Sequence, residues 1–191
     1  MKSQPLYIVD IMRDVVKNVE LKVLPQLQAY DNLIQGVHYD HGHPVEIIET
    51  LKQKDKSDTL IFKKYPAVFL FQDFTETMGE PGVDSSAKLH LLIVAATSSE
   101  YKAHERYEKN FKPILYPIYL ELKEQIFKSG KVMVPSASSL SFNKIDRLFW
   151  GRQGLYGNES NVFNDFLDAI EIQNLDLKFY KPVCLNGCAT K

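Results

Sequence analysis

Cysteine is nearly missing from this chain. Its only two, Cys184 and Cys188, sit close together near the C-terminal end. That is too few for a disulfide framework and matches no zinc-ligand spacing. Synthesis in a reducing, intracellular compartment is the expectation. No run of about 18 apolar residues occurs, so no segment reads as a membrane span. Asp10, Arg13 and Asp14 fall where a cleaved signal peptide needs an unbroken apolar stretch. Charge of one sign is also missing. The net charge is −1, so no global field draws the chain to nucleic acid or an acidic membrane. There is no Gly-x-Ser-x-Gly elbow, P-loop, HExxH or dinucleotide fingerprint. Gly151, Gly154 and Gly157 imitate phosphate-binding spacing but lack the Lys-Ser/Thr that completes a P-loop, and they read as a loop. The expectation is therefore neither an enzyme nor a cofactor binder.

What is present is apolar and aromatic. With 191 residues, 45% of them hydrophobic, and with 11 Phe and 10 Tyr, the chain can close one sizeable core. One domain over residues 1–181, followed by a tail at 182–191, is the expectation. The centre of that core is Lys64–Ser129. Tyr65–Phe74 is a β-rich run apolar enough to be covered on both faces. A loop is expected at 75–88, and Leu89–Ala96 then reads as a second buried strand, antiparallel to the first. His90 within that run reads as a structural residue. Ser98 or Ser99 is expected to cap a helix to Phe127, bent or briefly broken at Asn110–Pro113, which Gly130 ends.

Around this centre, residues 5–29 place Ile8, Ile11, Met12, Val15, Val16, Val19, Val23 and Leu27 on one helical stripe. Pro25 is expected to end or kink that helix near Leu24. A short helix begins at Pro44, with Val45, Ile47, Ile48 and Leu51 as its apolar side, and the Lys-rich stretch Lys52–Lys64, interrupted by Leu60-Ile61-Phe62, reads as a solvated connector. Residues 131–143, rich in serine, read as an extended arm or loop. Ile145–Trp150 reads as a strand, and Val162–Leu167 as a turn or short helix. Ala169–Tyr180 alternates apolar and polar residues with a slip at Asn174, the pattern of a half-buried edge strand carrying a bulge. The fold class is thus α+β: a mostly antiparallel sheet packed by an N-terminal helix and a long bent helix.

Two clusters invite a chemical reading. His38, Asp40, His41 and His43 offer metal-ligand side chains at a spacing that matches no established motif. The bland reading is a polar loop that sets up the next helix. Asp165, Asp168 and Glu171 are the best carboxylate group, and solvated positions beside a buried strand are the simpler account.

The order of elements carries a resemblance. An amphipathic helix and a short helix lead to Tyr65-Pro66-Ala67-Val68-Phe69-Leu70-Phe71. A loop and a second strand lead to Phe111-Lys112-Pro113-Ile114-Leu115-Tyr116-Pro117-Ile118-Tyr119, and Asn164–Ile172 runs into Leu175-Asp176-Leu177. This resembles neck proteins of tailed bacteriophages, in particular tail terminator or tail completion (head-tail joining) proteins. The resemblance implies a virion structural protein, made in the host bacterial cytoplasm and placed at the head-tail junction. Such proteins form closed homo-oligomeric rings, often hexamers, that cap the tail tube and join it to the connector. Partners would be further copies of the chain, a neighbouring neck or connector protein and the tail tube protein. DNA would pass through the ring without sequence-specific binding; no membrane and no cofactor are implied. On this reading Glu76, Asp84, Ser138, Ser139, Ile172, Leu175 and Leu177 are interface candidates, with the loops at 75–88 and 131–143 ordering on assembly and the final strand pairing across subunits. The rivals are another neck or portal adaptor ring, a metal-dependent hydrolase using the histidine cluster, and a regulatory adaptor unrelated to phage.

Overall fold

The apolar stripe of the first helix is buried without exception. In a computed structural model, α1 spans Ile8–Tyr30, and its buried residues are the eight of that stripe. Residues 7–57, 63–78, 83–134, 136–150 and 165–180 are described, Val83 and Asp84 as backbone only. Pro5, Leu60-Ile61-Phe62, the 151–157 glycine loop, the start of the 162–167 turn and the 182–191 tail lie outside them. Pro25 does not end α1, which runs on to Tyr30. The carbonyl deprived of its donor is that of Leu21, a residue 68% exposed, so water can serve it, while Leu27, 0% exposed, pins the last turn to the core.

Strand β1, His38–Gly42, follows. Helix α2, Pro44–Lys54, is held at its start by a reciprocal capping box. The Val45 amide donates to His43 Nδ1 at 3.3 Å, and the His43 amide donates to Glu46 Oε2 at 3.3 Å. Pro44, Ile47, Ile48 and Leu51 form its buried side, and Val45 is 38% exposed rather than part of it.

Strand β2, Ala67–Phe71, is buried along its whole length, so both faces are covered as its composition predicts. Strand β3, Glu76–Met78, and strand β4, Val83–Ala96, replace most of the loop expected at 75–88. The first half of β4 alternates small or polar residues, with Ser85 and Ala87 buried and Lys88 outward. Such residues make a weak period-two signal.

The second helical region begins at Ala103, later than Ser98 or Ser99 would place it. Ser98 Oγ instead accepts the Glu100 amide in the preceding turn, at 3.2 Å. After α3, Ala103–Arg106, the chain is π-helical over Tyr107–Leu115 and then continues as α4, Tyr116–Lys128. The expected bend is therefore a change of helical register. In the π-helical register Pro113 has no amide to give the Glu108 carbonyl, and the Tyr30 hydroxyl donates to the Lys109 carbonyl beside it at 3.0 Å. Gly130, at φ +64, adopts the left-handed conformation that ends α4.

Strand β5, Ser141–Trp150, starts within the predicted serine-rich arm, after a short 3-10 turn at Ala137–Ser139. Strand β6 is Leu167–Tyr180. The sheet order is β1-β2-β4-β6-β5, with β3 paired to β4. Only β1 and β2 run parallel; the other pairs are antiparallel. The described residues form a single α+β domain with the mostly antiparallel sheet expected.

Strand β6 is not an edge. It lies between β4 and β5. Alternation reveals that one face is open but not whether a strand has one neighbour or two. The bulge does fall at Asn174, whose φ is +55, between the pairs Leu91↔Ile172 and Leu89↔Leu175. It keeps Ile170 and Ile172 on the same face as Leu175, Leu177 and Phe179, all in the cluster under α1 and α4. The opposite face packs Phe69, Phe71, Leu92, Val94 and Trp150 against α2.

Candidate functional site

Helix α2 covers only part of its sheet face. The rest of that face, over β4, β6 and β5, is polar and centres on Glu171. Period-two alternation places His90 beside Leu92 and Val94, and Glu171 and Gln173 beyond Leu167 and Ala169. Three strands each direct a side chain at the Glu171 carboxylate. His90 Nε2 from β4 lies 2.8 Å from Oε1, Gln173 Nε2 from β6 donates to Oε1 at 2.9 Å, and Arg147 Nε from β5 donates to Oε2 at 2.7 Å. The Phe71 ring meets the His90 ring edge-on at 4.7 Å between centroids. Burial pushes the Glu171 carboxyl up, but bonds from Gln173 and Arg147 and the charges of His90 and Arg147 outweigh it. The carboxyl is held below its ordinary value. The result is a buried anion that orients three donors on an open sheet surface.

The other two acidic residues of that sequence group go elsewhere. Asp168 points to the opposite face and is 0% exposed. Arg106 Nη1 donates to its Oδ1 at 2.8 Å, and Asn110 Nδ2 to its Oδ2 at 2.8 Å. Arg106 also donates to the Tyr101 and Ser98 carbonyls and to Thr97 Oγ1, and the Phe149 ring lies 3.5 Å from its Cζ. This buried pair ties the helical region to β6. Asp165 accepts from Lys64 Nζ at 2.5 Å and the Tyr65 hydroxyl at 2.6 Å, while Lys64 also reaches Asp55. Burial first, and the Asp165 charge second, push the Tyr65 hydroxyl pKa well up. The three carboxylates are therefore buried or paired rather than simply solvated, and they share no site.

The histidine cluster is likewise dispersed. In β1, the parallel register with β2 turns His38 and Asp40 toward α2 and Tyr39 and His41 toward α1. His41 Nδ1 lies 2.7 Å from Gln72 Oε1, and its Nε2 lies 3.5 Å from Arg13 Nη2. Asp40 Oδ1 accepts the His41 amide, and His43 caps α2. Among the described residues, no three His, Cys, Asp or Glu side chains stand together as a metal site.

Of the interface candidates, Glu76 is exposed on β3 and accepts from Ser85 Oγ at 3.4 Å. Ser138 and Ser139 are exposed, with Ser138 Oγ 2.9 Å from Ser136 Oγ and Ser139 Oγ donating to the Ser136 carbonyl. Asp84 lies in β4, and its side chain is not described. Ile172, Leu175 and Leu177 are core residues, 2%, 1% and 0% exposed. The pairing across subunits expected of their strand is excluded by its two neighbours within the sheet. A cleft of about 380 Å³ between the end of α1 and the π-helical segment is bordered by Tyr30, Tyr101, Lys109 and Asn110. Its polar groups already serve the fold: Tyr30 on the Lys109 carbonyl, Asn110 on Asp168, and Lys109 Nζ on Glu105 and over the Tyr101 ring.

Sequence reasoning passed over Arg147, Gln173 and the outward role of His90. The available signal was polar residues at period-two positions in strands otherwise apolar. Among the described residues, no helix is long and apolar enough to cross a membrane. No protein-family model matches the chain, and no curated protein matches it either.

Proposed function

We propose that this chain is a structural subunit of the tailed-phage neck, a tail-terminator-like protein. On this reading its copies form a closed ring that terminates the tail tube and joins it to the connector, at the head-tail junction of the virion. The observation that carries the reading is the unequal covering of the sheet. Helices α1 and α4 close one face with an apolar core, whereas the described residues leave much of the other face polar and exposed on two strands of 14 residues each, about 46 Å long. A rigid, uncovered surface of that kind suits repeated protein contact. The resemblance in element order read from the sequence points the same way. A ring needs each copy to present two different surfaces, one to each neighbour. Here the open sheet face is one such surface, and the helical layer on the opposite side is available as the second. DNA passes through the ring without sequence readout, and contacts to the tube and connector fall to its two rims.

Light scattering after gel filtration and negative-stain electron microscopy of the purified chain test this. Closed rings, with six copies the leading expectation, are the predicted result. A monomer at all concentrations would overturn it.

A further inference from the structure

We propose that the outer edge of β5 pairs antiparallel with β5 of a second copy, about a two-fold axis at Ile145, and so joins two sheets into one. A two-fold contact closes after two copies, unlike the head-to-tail contacts of a ring. The inference therefore stands apart from the ring reading.

The two ends of the sheet order differ. Strand β1 is 5 residues long, and Asp40 Oδ1 accepts one of its amides, that of His41, at 2.9 Å. Strand β5 is 10 residues long and is paired on one side, by β6. Among the described residues, nothing bonds the amides and carbonyls that Phe142–Leu148 turns away from β6. Such a row is a template for another strand. The side chains say which strand fits. Pairing about Ile145 sets that residue against itself, Lys144 against Asp146 of the second copy, Asn143 against Arg147, and Phe142 against Leu148. Apolar meets apolar, cation meets anion, and amide meets guanidinium. Cross-strand pairs of this kind stabilise an antiparallel ladder, whereas like charges directly opposite destabilise it. Moving the axis one residue either way sets Lys144 against Lys144 or Asp146 against Asp146, so one register is singled out.

Within one subunit these side chains are already placed for the contact. Lys144 pairs with Asp146 along the strand, and the Tyr116 hydroxyl donates to Asp146 at 3.0 Å. A second copy would complete a cluster of four alternating charges. Arg147 gives Nε to Glu171, which leaves its Nη groups for the Asn143 side-chain oxygen. Leu148 is 46% exposed, a large apolar side chain on a strand that is otherwise mostly polar. Charged residues on an edge ordinarily keep copies apart. Here Lys144 and Asp146 have opposite signs and become each other's partners under the two-fold. The irregularity between Arg147 and Trp150, with Phe149 at φ +54, interrupts the strand beyond this stretch. The ladder is therefore short and the contact dissociable.

Cysteine crosslinking of the full chain, in a Cys184→Ser and Cys188→Ser background, tests the register. Ile145→Cys sets two sulfurs across the axis with Cα atoms about 5 Å apart, within disulfide reach. Asn143→Cys sets them about 14 Å apart, beyond it. Mild oxidation should join most Ile145→Cys chains as dimers on a non-reducing gel and leave Asn143→Cys monomeric. No dimer from Ile145→Cys, or equal yields from the two, would overturn the proposal. Sedimentation velocity over a concentration series tests the charges. Asp146→Lys should raise the concentration of half-association about tenfold or more, and adding Lys144→Asp should restore it. A double variant no better than the single would also overturn the proposal. Circular dichroism in dilute solution should match the wild type for every variant, which separates lost pairing from lost fold. A species of two copies that never grows into a ring would overturn the ring reading and leave this one standing. Rings in which Ile145→Cys forms no crosslink would do the reverse.

Discussion

Among the described residues, Asp168 and Arg106 are the two most deeply placed charges, at 0% and 1% exposure. Each is fully enclosed by partners, so removal of one strands the other. Asp168→Ala should cost about 3–5 kcal/mol of unfolding free energy, read from the midpoint of urea denaturation, because it leaves the guanidinium uncompensated in the interior. The double replacement Arg106→Met with Asp168→Leu should recover much of that loss. Equal losses from the single and double variants would mean that the pair itself, not the stranded charge, sets the cost. Glu171 makes a prediction in pH. Its carboxyl titrates lower folded than its ordinary value of 4.5. It therefore adds stability above about pH 4.5, and this is lost as acid protonates the folded carboxylate. Comparison of urea stability against pH for wild type and Glu171→Gln should show a shallower acid limb in the variant. Parallel curves would remove the carboxylate's role. At this scale the sequence was poorly legible. Asp165, Asp168 and Glu171 are spaced at intervals of three, but a strand sends Asp168 and Glu171 to opposite faces, and no pattern in the chain says which arginine, 62 residues away for Asp168, will arrive.

Elements were more legible, because periodicity is a property of the segment alone. The α1 stripe, the two buried strands and the bulge in β6 all follow from apolar spacing. Three features did not. Pro25 sits inside α1 because tertiary packing of Leu27 outweighs one lost helical bond. The first half of β4 is hidden by Ser85 and Ala87, whose burial shows no apolar signal. The place of β6 between two neighbours depends on partners that alternation does not encode. The bulge itself can be tested. With φ at +55, Asn174 occupies a conformation open to Gly and Asn but not to a β-branched residue. Asn174→Gly should be close to neutral, and Asn174→Val should cost about 1–2 kcal/mol in urea melts. Deleting Asn174 removes the extra residue and leaves Ile172, Leu175, Leu177 and Phe179 in unbroken alternation on the core face, so the variant should still fold. Inserting a second residue beside Asn174 should abolish folding, because that one-residue slip turns Leu175, Leu177 and Phe179 onto the solvent face. A folded insertion variant would contradict the register.

For the whole molecule, the two apolar clusters on either side of the sheet are closed by the chain's own helices, and the uncovered surface is polar. The fold therefore does not depend on a partner to bury its core, unlike an obligate oligomer whose interface resembles a divided core. The proposed ring should come apart into folded subunits. On dilution or at high salt, ring mass should fall toward that of a monomer while the far-ultraviolet circular dichroism stays constant. The melting temperature should rise with protein concentration in the assembled range and level off below it, since association adds stability only where copies meet. Loss of helix and sheet signal in step with dissociation would instead mean that neighbouring copies complete the core. That outcome is incompatible with the closure of both clusters within one chain, so one dilution series tests the architecture and the assembly together.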